Sequence, residues 1–507
     1  MMCTMNGKLG GSEEDSISRS SPSTEMVNPF VHHLELTTTY EKIKAGILTV
    51  LVLPLRLLII MGLLIGAWLL ACVGLYGLTE DELRRKPLTG WRLHLKHAGA
   101  NLLKVGFVVL GFRIKVTGRS ALRSEAPILA VAPHSSFVDI VASVYSGGSS
   151  AVTRPENQQV PIFGKLINFT QPVYVWRDDP NSRQKTIQEI IDRAKSAENW
   201  SQVLIFPEGT CTNRSCLITF KPGAFYPGVP VQPVLLRYPN KLDTVTWTWE
   251  GPGVWKLMWL TLVQPQSNCE IEFLPVYHPN EEEKKDPKLY AQNVRRLMAR
   301  ALGVPCLDYT YDDCQLAAKA KALGLEQNSQ LMQTHKYRIR LGLTRRRVEE
   351  NLIASNKKSL SAEGAKWLSL DEFSNFLQVP SHEPALQLLF NVFKEGDEER
   401  INSREYLLTA LIISKACSKE DMFHQAFQLC GDEDEHLNRE DFKFVMRLFC
   451  RMSNDELDRW FTMIDVQECG RISYYDLEEY SSGRFGDILG CKVNPFTDRL
   501  SNHDKRD

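Results

Sequence analysis

The chain has 507 residues, and its 60 Lys and Arg against 61 Asp and Glu leave a net charge of −1 at pH 7. That near balance excludes the strong basic excess that nucleic-acid binding needs at physiological salt, while the length gives room for two or three domains and a sizeable buried core. Twelve cysteines are scattered with no C-x2-C pair and no repeated spacing, so neither a zinc site nor a disulfide framework is visible, and free thiols in a reducing compartment are the expected state.

Residues 1 to about 28 are rich in Ser, Gly and Glu with little to bury and read as disordered; the tail as a whole is placed at 1–42. No signal peptide fits, because the first apolar run starts only near Ala45. From Leu57 to Leu78 there is no charged residue, which is enough helix to cross a hydrocarbon core of about 30 Å. A shorter apolar run, Ala45 to Leu53, precedes it and ends at Pro54 and Arg56. Over 43–78 the pattern predicts a membrane-embedded segment, either one spanning helix or a kinked pair that dips in and returns. Arg84, Arg85, Lys86, Arg92 and Lys96 come after it, against Lys42 and Lys44 before it, so the positive-inside rule places the next domain in the cytosol. The sequons at Asn168, Asn199 and Asn213 then read as chance matches. Val105 to Phe112 is apolar but too short to span; it either dips into the interface or starts the sheet.

From about 113 to 277 the pattern is α/β. Short β-rich runs stand at Arg113–Thr117, Ile128–Ala132, Val173–Trp176, Val203–Phe206, Val231–Arg237 and Glu270–Pro275, with a charged helical stretch at Ser182–Ala197 as a crossover. The charged stretch Asn280–Pro287 marks a boundary, so one domain is expected over 79–285 and a helical connector over 286–355. Helical periodicity runs from about Leu289 to Leu352. Its basic stretch, Lys336–Arg347, reads as a solvated helix face; contact with anionic headgroups is the alternative.

Within the α/β region, His134 and Asp139 lie in VAPHSSFVDI, directly after an apolar run suited to a buried strand that ends at a cleft. Spacing alone proves little, since His436 and Asp441 repeat it inside a calcium-loop-like segment. Three further segments give the first pair its meaning: VYVWRD around Arg177, FPEGT at 206–210 and VPVQPV at 229–234. The set resembles the glycerolipid acyltransferases. The stretch EGTCTNRSCLITFKPGAFYPGVPVQPVLLRYPNKLDT, the early VNPFVHHLEL and the C-terminal loops narrow this to a resemblance to the lysophosphatidylcholine acyltransferases, from about residue 27 to about 480.

The resemblance implies acyl transfer from acyl-CoA, as co-substrate, to a hydroxyl of a lysophospholipid, lysophosphatidylcholine or lysophosphatidylethanolamine, in a bilayer, with no cofactor required. Such chemistry needs a base, and His134 is the natural one, its tautomer held by Asp139 if the intervening segment turns into a helix. Ser135 and Ser136 then serve as turn or cap residues, because the lipid hydroxyl attacks directly. Arg177 is expected to hold the acceptor phosphodiester. Glu208 is expected to pair with a cation and fix its loop, Gly209 to let the backbone approach a ligand, and Thr210 to offer a hydroxyl. Lys221 is expected to meet phosphate near a helix start, and Pro230 and Val231 to begin a buried strand flooring the acyl site. Cys211 stands where relatives using glycerol 3-phosphate or lysophosphatidate carry Arg, which fits an acceptor with a singly charged phosphate. It lacks a second His to activate it as a nucleophile.

Residues 356–485 read as two degenerate EF-hand-like pairs, with a tail after them at 486–507. Ser361–Glu372 keeps Leu368 and Asp465–Asp476 keeps Ile472 at the aliphatic position 8, while in these loops and in Lys394–Glu405 and Cys430–Asp441 the ligands have decayed. Only Asp465, Gln467 and Asp476 remain as metal candidates in the last loop, so calcium binding is doubtful. The expected fold class is an α/β acyltransferase domain with a membrane-embedded N-terminal helix or helical hairpin, followed by an all-α EF-hand-like region. The expected location is the endoplasmic reticulum membrane, to which Lys505 at the third-last place also points, with Golgi or lipid droplet as alternatives. Two rival readings are an acetyl-CoA enzyme acting on an ether lysolipid and a calcium-regulated membrane adaptor with a dead transferase domain.

Overall fold

The computed structural model describes residues 28–175, 182–322, 328–343, 367–394, 399–414, 419–432, 434–449 and 452–481. Two compact units divide between Asp308 and Tyr309. The first opens with helices α1 (Thr39–Leu51), α2 (Leu53–Leu75), α3 (Glu80–Arg85) and α4 (Gly90–Val109). Strands β1 (Phe112–Thr117), β2 (Ile128–Ala132), β3 (Ser150–Thr153), β4 (Val173–Tyr174), β5 (Val203–Ile205), β6 (Val231–Arg237) and β7 (Ser267–Phe273) come next. Between and after them lie α5 (Val141–Tyr145), α6 (Phe163–Phe169), α7 (Ser182–Lys195), α8 (Val254–Val263), α9 (Glu281–Lys285) and α10 (Pro287–Leu302).

The seven strands form one sheet in the order β1-β7-β6-β2-β5-β3-β4, parallel at every neighbouring pair except the antiparallel β6–β7. β2 is central, and all five residues of ILAVA are fully buried. Side chains alternate across a strand, so a run apolar on both faces must be covered on both. Ile128 and Ala132 join Val203, Val231 and Leu235 beneath α7 and α10. Leu129 and Val131 join Leu204, Val234 and Ile271 beneath α4 and α5 on the other face.

β2 and β6 occur where the sequence places them. The expected strand at Val173–Trp176 is described only as Val173–Tyr174, since Trp176 lies outside the described residues. β7 starts three residues earlier than expected, at Ser267. Nothing in the sequence signals a strand at β3, because Ser150–Thr153 begins on the last residue of GGSS and has too few apolar residues to stand out. Val105–Phe112 is the last turn of α4 and the first residue of β1, with Phe107 and Phe112 buried in the core.

Two domain boundaries shift. Residues 28–38, expected within a disordered tail, form an ordered strap: Phe30 is 2 % exposed and Leu34 is buried. Its backbone pairs with Glu250 through Phe30 and His32. The first unit also runs past the expected limit at 285, because α10 inserts Tyr290, Val294 and Met298 into the core. Tyr290 packs edge-on against Phe225. An amphipathic helix with that much to bury is part of the domain and not a connector.

α2 is long and apolar enough to cross a membrane; its 23 residues make about 35 Å of helix. Leu55, Leu58, Met61, Ile65, Leu69 and Val73 are exposed along it. Both of its ends are held by the same unit. Near its start, Arg56 donates to the main-chain oxygens of Leu262, Gln264 and Pro265 at the end of α8, satisfying carbonyls the helix leaves open. At its far end Ala71 and Leu75 are buried with Leu88 and Phe169. Gly74 sits so close that a Cβ there would come within 2.4 Å of the Phe169 ring.

The second unit, taken alone, is helical, with two antiparallel two-residue ladders. One pairs Leu368 with Ile401 and the other Leu437 with Ile472. Leu368 and Ile472, the aliphatic positions read in two of the loops, are thus among the residues that meet. Lys336–Arg347 is not wholly a solvated face: Arg338 is buried and donates to the Tyr406 hydroxyl at 2.8 Å and the Leu343 carbonyl at 2.7 Å. Residues 344–347 lie outside the described residues.

Candidate active site

Three neighbouring parallel strands end at one place. β2 delivers His134, β5 delivers Phe206 and Glu208, and β6 delivers Tyr238. Ligands of open α/β sheets are met at such carboxyl ends. The His134 ring stacks on Phe206 with centroids 4.1 Å apart and planes 19° apart. Its side chain is 21 % exposed, and Nδ1 lies 2.8 Å from Asp139 Oδ2. With the Nδ1 proton given to Asp139, Nε2 keeps the lone pair needed to accept a proton.

Asp139 reaches back because residues 137–140 form a 3-10 turn leading into α5. Ser136 caps that turn, its hydroxyl accepting from the Val138 amide at 3.2 Å, so the expected cap role is realised. The Asp139 carboxylate is 0 % exposed and fully engaged. Its Oδ2 also accepts from the amides of Ser135 at 2.6 Å and Ser136 at 2.9 Å. Tyr238 donates its hydroxyl to Oδ1 at 2.7 Å. Four donors thus surround the buried carboxylate. The repeated spacing at His436 and Asp441 makes no such pair: His436 Nδ1 lies 2.9 Å from the Asp434 carbonyl, and Asp441 is bound by Arg404 and Asn438.

Glu208, expected to pair with a cation, instead holds its loop through main-chain amides. It is 1 % exposed and accepts from His134 N at 2.6 Å and Ile218 N at 3.3 Å. Burial outweighs those amides and pushes its pKa up to about 7. Gly209 has a left-handed backbone (φ +69°), and a Cβ there would meet the Lys221 side chain at 2.9 Å. Lys221 therefore lies along the FPEGT turn, and the left-handed backbone at 209 favours Gly. Thr210 is buried, and Thr212 ties the same loop to the His134 carbonyl at 2.8 Å.

Two other expected residues stand elsewhere. Register pairs Val231 with Ile128 and Leu235 with Ala132, so Pro230 and Val231 are at the opposite end of the sheet from His134. Arg177 lies outside the described residues.

Cys211 touches the His134 imidazole. Burial disfavours a charged ring there, but the Cys211 and Asp139 side chains outweigh it and raise the His134 pKa to about 10.

Sequence reasoning missed Phe206, Tyr238, and a brace around Arg214. Arg214 donates to Ser135 Oγ at 3.0 Å and to Asp243 Oδ2 at 2.6 Å, with its guanidinium 5.2 Å from the Tyr238 ring centroid. Next to it, Asn213 Nδ2 donates to the carbonyls of Asn28 and Val31, both at 2.9 Å, clamping the N-terminal strap. Position in the EGTCTNR run was the only signal for these two residues.

In the second unit the metal candidates are turned to local tasks. Asp465 accepts from the amides of Cys469 at 2.9 Å and Gly470 at 2.8 Å, and Asp476 from the amide and hydroxyl of Ser473. Gln467 stands in the same exposed loop. Arg471 reaches Asp432 at 3.4 Å and Asp434 at 3.9 Å, and Arg404 holds Asp441 at 3.0 Å. Among the described residues no three His, Cys, Asp or Glu side chains gather as a metal site would require.

A family model described as Acyltransferase matches residues 113–237. The chain is similar to lysophosphatidylcholine acyltransferase of Drosophila melanogaster, 42% identical over 466 residues that cover 91% of this chain and 86% of that protein. It is 43% identical to lysophosphatidylcholine acyltransferase 1 of Rattus norvegicus (89% and 84% covered) and 41% identical to the Homo sapiens protein of that name (90% and 84%). Among solved structures it is similar to the 1-acyl-sn-glycerophosphate (LPA) acyltransferase PlsC from Thermotoga maritima, with 18% identity and a TM-score of 0.35, over 52% of this chain and 96% of that one.

Proposed function

As the chain belongs to the lysophosphatidylcholine acyltransferases, we propose that it moves an acyl group from acyl-CoA to the free hydroxyl of a lysophospholipid, lysophosphatidylcholine or lysophosphatidylethanolamine, in phospholipid remodelling. The observation that carries this reading is the His134–Asp139 pair, 2.8 Å apart at the end of the central strand. His134 Nε2 takes the proton as the lipid oxygen attacks the thioester carbonyl. The tetrahedral intermediate then collapses, the C–S bond breaks, and the imidazolium returns its proton to the departing CoA thiolate. Asp139 offsets the imidazolium charge throughout. No nucleophilic side chain is needed, and no metal enters the scheme. Arg177 is assigned to the acceptor phosphodiester, Lys221 beside Gly209 to phosphate, and Thr210 to the loop that frames them.

A screen of acyl-CoA and lysolipid pairs, read by mass spectrometry, tests the assignment. Long-chain transfer to lysophosphatidylcholine or lysophosphatidylethanolamine is expected. Turnover confined to acetyl-CoA with an ether lysolipid would replace the donor and acceptor, and none with any pair would leave a membrane adaptor. In the same assay Arg177→Ala should lower kcat/KM for the lysolipid about 10- to 100-fold, the loss of one charged hydrogen bond. The KM for acyl-CoA should not move; a change in that KM alone would reverse the substrate assignment.

The raised proton affinity of His134 has a direct reading in the pH profile. The base must be neutral, and its pKa lies above the ordinary 6.5, at about 10. The acid limb of kcat/KM should therefore lie above pH 6.5 and activity should rise through neutral pH. Cys211→Ser should keep activity and move that limb towards lower pH. Loss of all activity would instead make Cys211 the nucleophile.

The exposed apolar flank of α2, with both ends returned to one unit, supports a re-entrant hairpin of α1 and α2, not a single pass. A spanning helix sets its ends on opposite sides of about 30 Å of hydrocarbon. The engaged Asn213 amide supports a cytosolic active site, since a glycan would need that nitrogen. The endoplasmic reticulum is the assigned membrane. Residues 356–485 are read as EF-hand-like pairs joined through Leu368–Ile401 and Leu437–Ile472. With arginines on Asp432, Asp434 and Asp441, the region serves as a fixed helical platform, not a calcium sensor.

A further inference from the structure

We propose that Tyr238 is a positioning residue for the transfer reaction: its hydroxyl, given to Asp139 Oδ1, sets how strongly Asp139 holds the proton on His134. The inference rests on the dyad reading above.

Asp139 shares its donors unevenly. Oδ2 takes three, from the His134 ring and the amides of Ser135 and Ser136, whereas Oδ1 takes Tyr238, 2.7 Å away. Those three come from residues within five positions along the chain. Tyr238 comes from the neighbouring strand, 99 residues on. A buried phenol kept only for packing can give its proton to a main-chain carbonyl, as Tyr290 does to Val229. Tyr238 gives its proton to the carboxylate that orients the base.

The ring is itself held. It is buried as the first residue past β6, and Arg214 lies over its face while donating to Ser135 Oγ and Asp243. The titratable groups facing Asp139 are His134 from the end of β2, Tyr238 from β6, Cys269 from β7 and Glu208 from the FPEGT loop. Arg214 is the cation beyond the phenol ring. Burial first, and then the Asp139 charge, push the Tyr238 pKa well above its ordinary value, so the hydroxyl remains a donor over the working pH range.

A hydrogen bond to a carboxylate spreads and lowers its charge, which weakens its pull on the imidazolium proton. Tyr238 thus tempers the base, easing the return of the proton to the leaving thiolate. Without the hydroxyl, Oδ1 loses the Tyr238 donor and the carboxylate holds the imidazolium more tightly.

Full-length enzyme in membranes, carrying Tyr238→Phe or His134→Ala, tests this. The Phe variant keeps the ring beneath Arg214 and removes one oxygen. Its kcat should fall about 10- to 100-fold, the loss of a charged hydrogen bond. Its acid limb should rise by roughly half to one pH unit, and the KM of either substrate should not change. Unchanged kcat and limb, with His134→Ala inactive, would overturn the role of Tyr238 alone. Less folded enzyme with an unmoved limb would overturn it too, because a limb does not depend on how much enzyme survives. Activity in His134→Ala would bring down the dyad reading itself, whatever Tyr238→Phe does.

Discussion

His134→Ala should lower transfer by roughly 10²–10⁴, the range for losing a positioned general base, with folding and membrane insertion unaffected. The ring is partly exposed at the end of β2 and stacks on Phe206, so its removal empties no deep core site. The anchors of the turn survive the change. Glu208 still holds the amide of residue 134, and Asp139 still holds those of Ser135 and Ser136. His436→Ala, with the same spacing to an Asp but no bond to it, is the control and should turn over like the parent. Equal losses at both positions, measured per folded enzyme, would sink the site assignment.

Asp139→Asn should be nearly as severe in kcat, roughly 10³–10⁴, and mild in stability. The amide oxygen can take the place of Oδ2 and accept from the His134 ring and the two serine amides. Its NH2 then faces the Tyr238 oxygen, which can turn its proton away and accept instead. Geometry is kept but the negative charge is lost, so nothing offsets the imidazolium as the proton moves. Thermal unfolding and kcat, measured side by side, separate these effects. A variant with parental turnover would show that Asp139 only braces the turn.

Local spacing made much of this site legible. His134, Ser136 and Asp139 lie within one turn after a strand, so their meeting needs only short-range geometry. The edges of β2 were readable for the same reason, as ILAVA is a continuous apolar run between Pro127 and Pro133, and β6 lies between Pro230 and Pro239. Tyr238 was hidden because its role depends on β6 lying beside β2, a crossover across nearly a hundred residues that no local pattern encodes. The same order moves Pro230 and Val231 away from the site: a parallel neighbour brings its carboxyl end, not its start, to the cleft. Arg338 misled because a cation in a basic run reads as solvated, and only the fold reveals the Tyr406 hydroxyl and Leu343 carbonyl that receive it. The ordering of residues 28–38 was hidden likewise, since its partners Asn213 and Glu250 lie some two hundred residues away.

Arg56 and Gly74 fasten the two ends of α2 to the unit that carries the dyad. An enzyme anchored by the re-entrant hairpin proposed above searches for its lipid in two dimensions. Its rate should then track the mole fraction of lysolipid in the leaflet, and diluting the same lipid amount with inert phospholipid should slow it at constant bulk concentration. Acyl-CoA, arriving from water, should obey ordinary bulk saturation. The two substrates of one reaction would thus be counted in different units, per area and per volume.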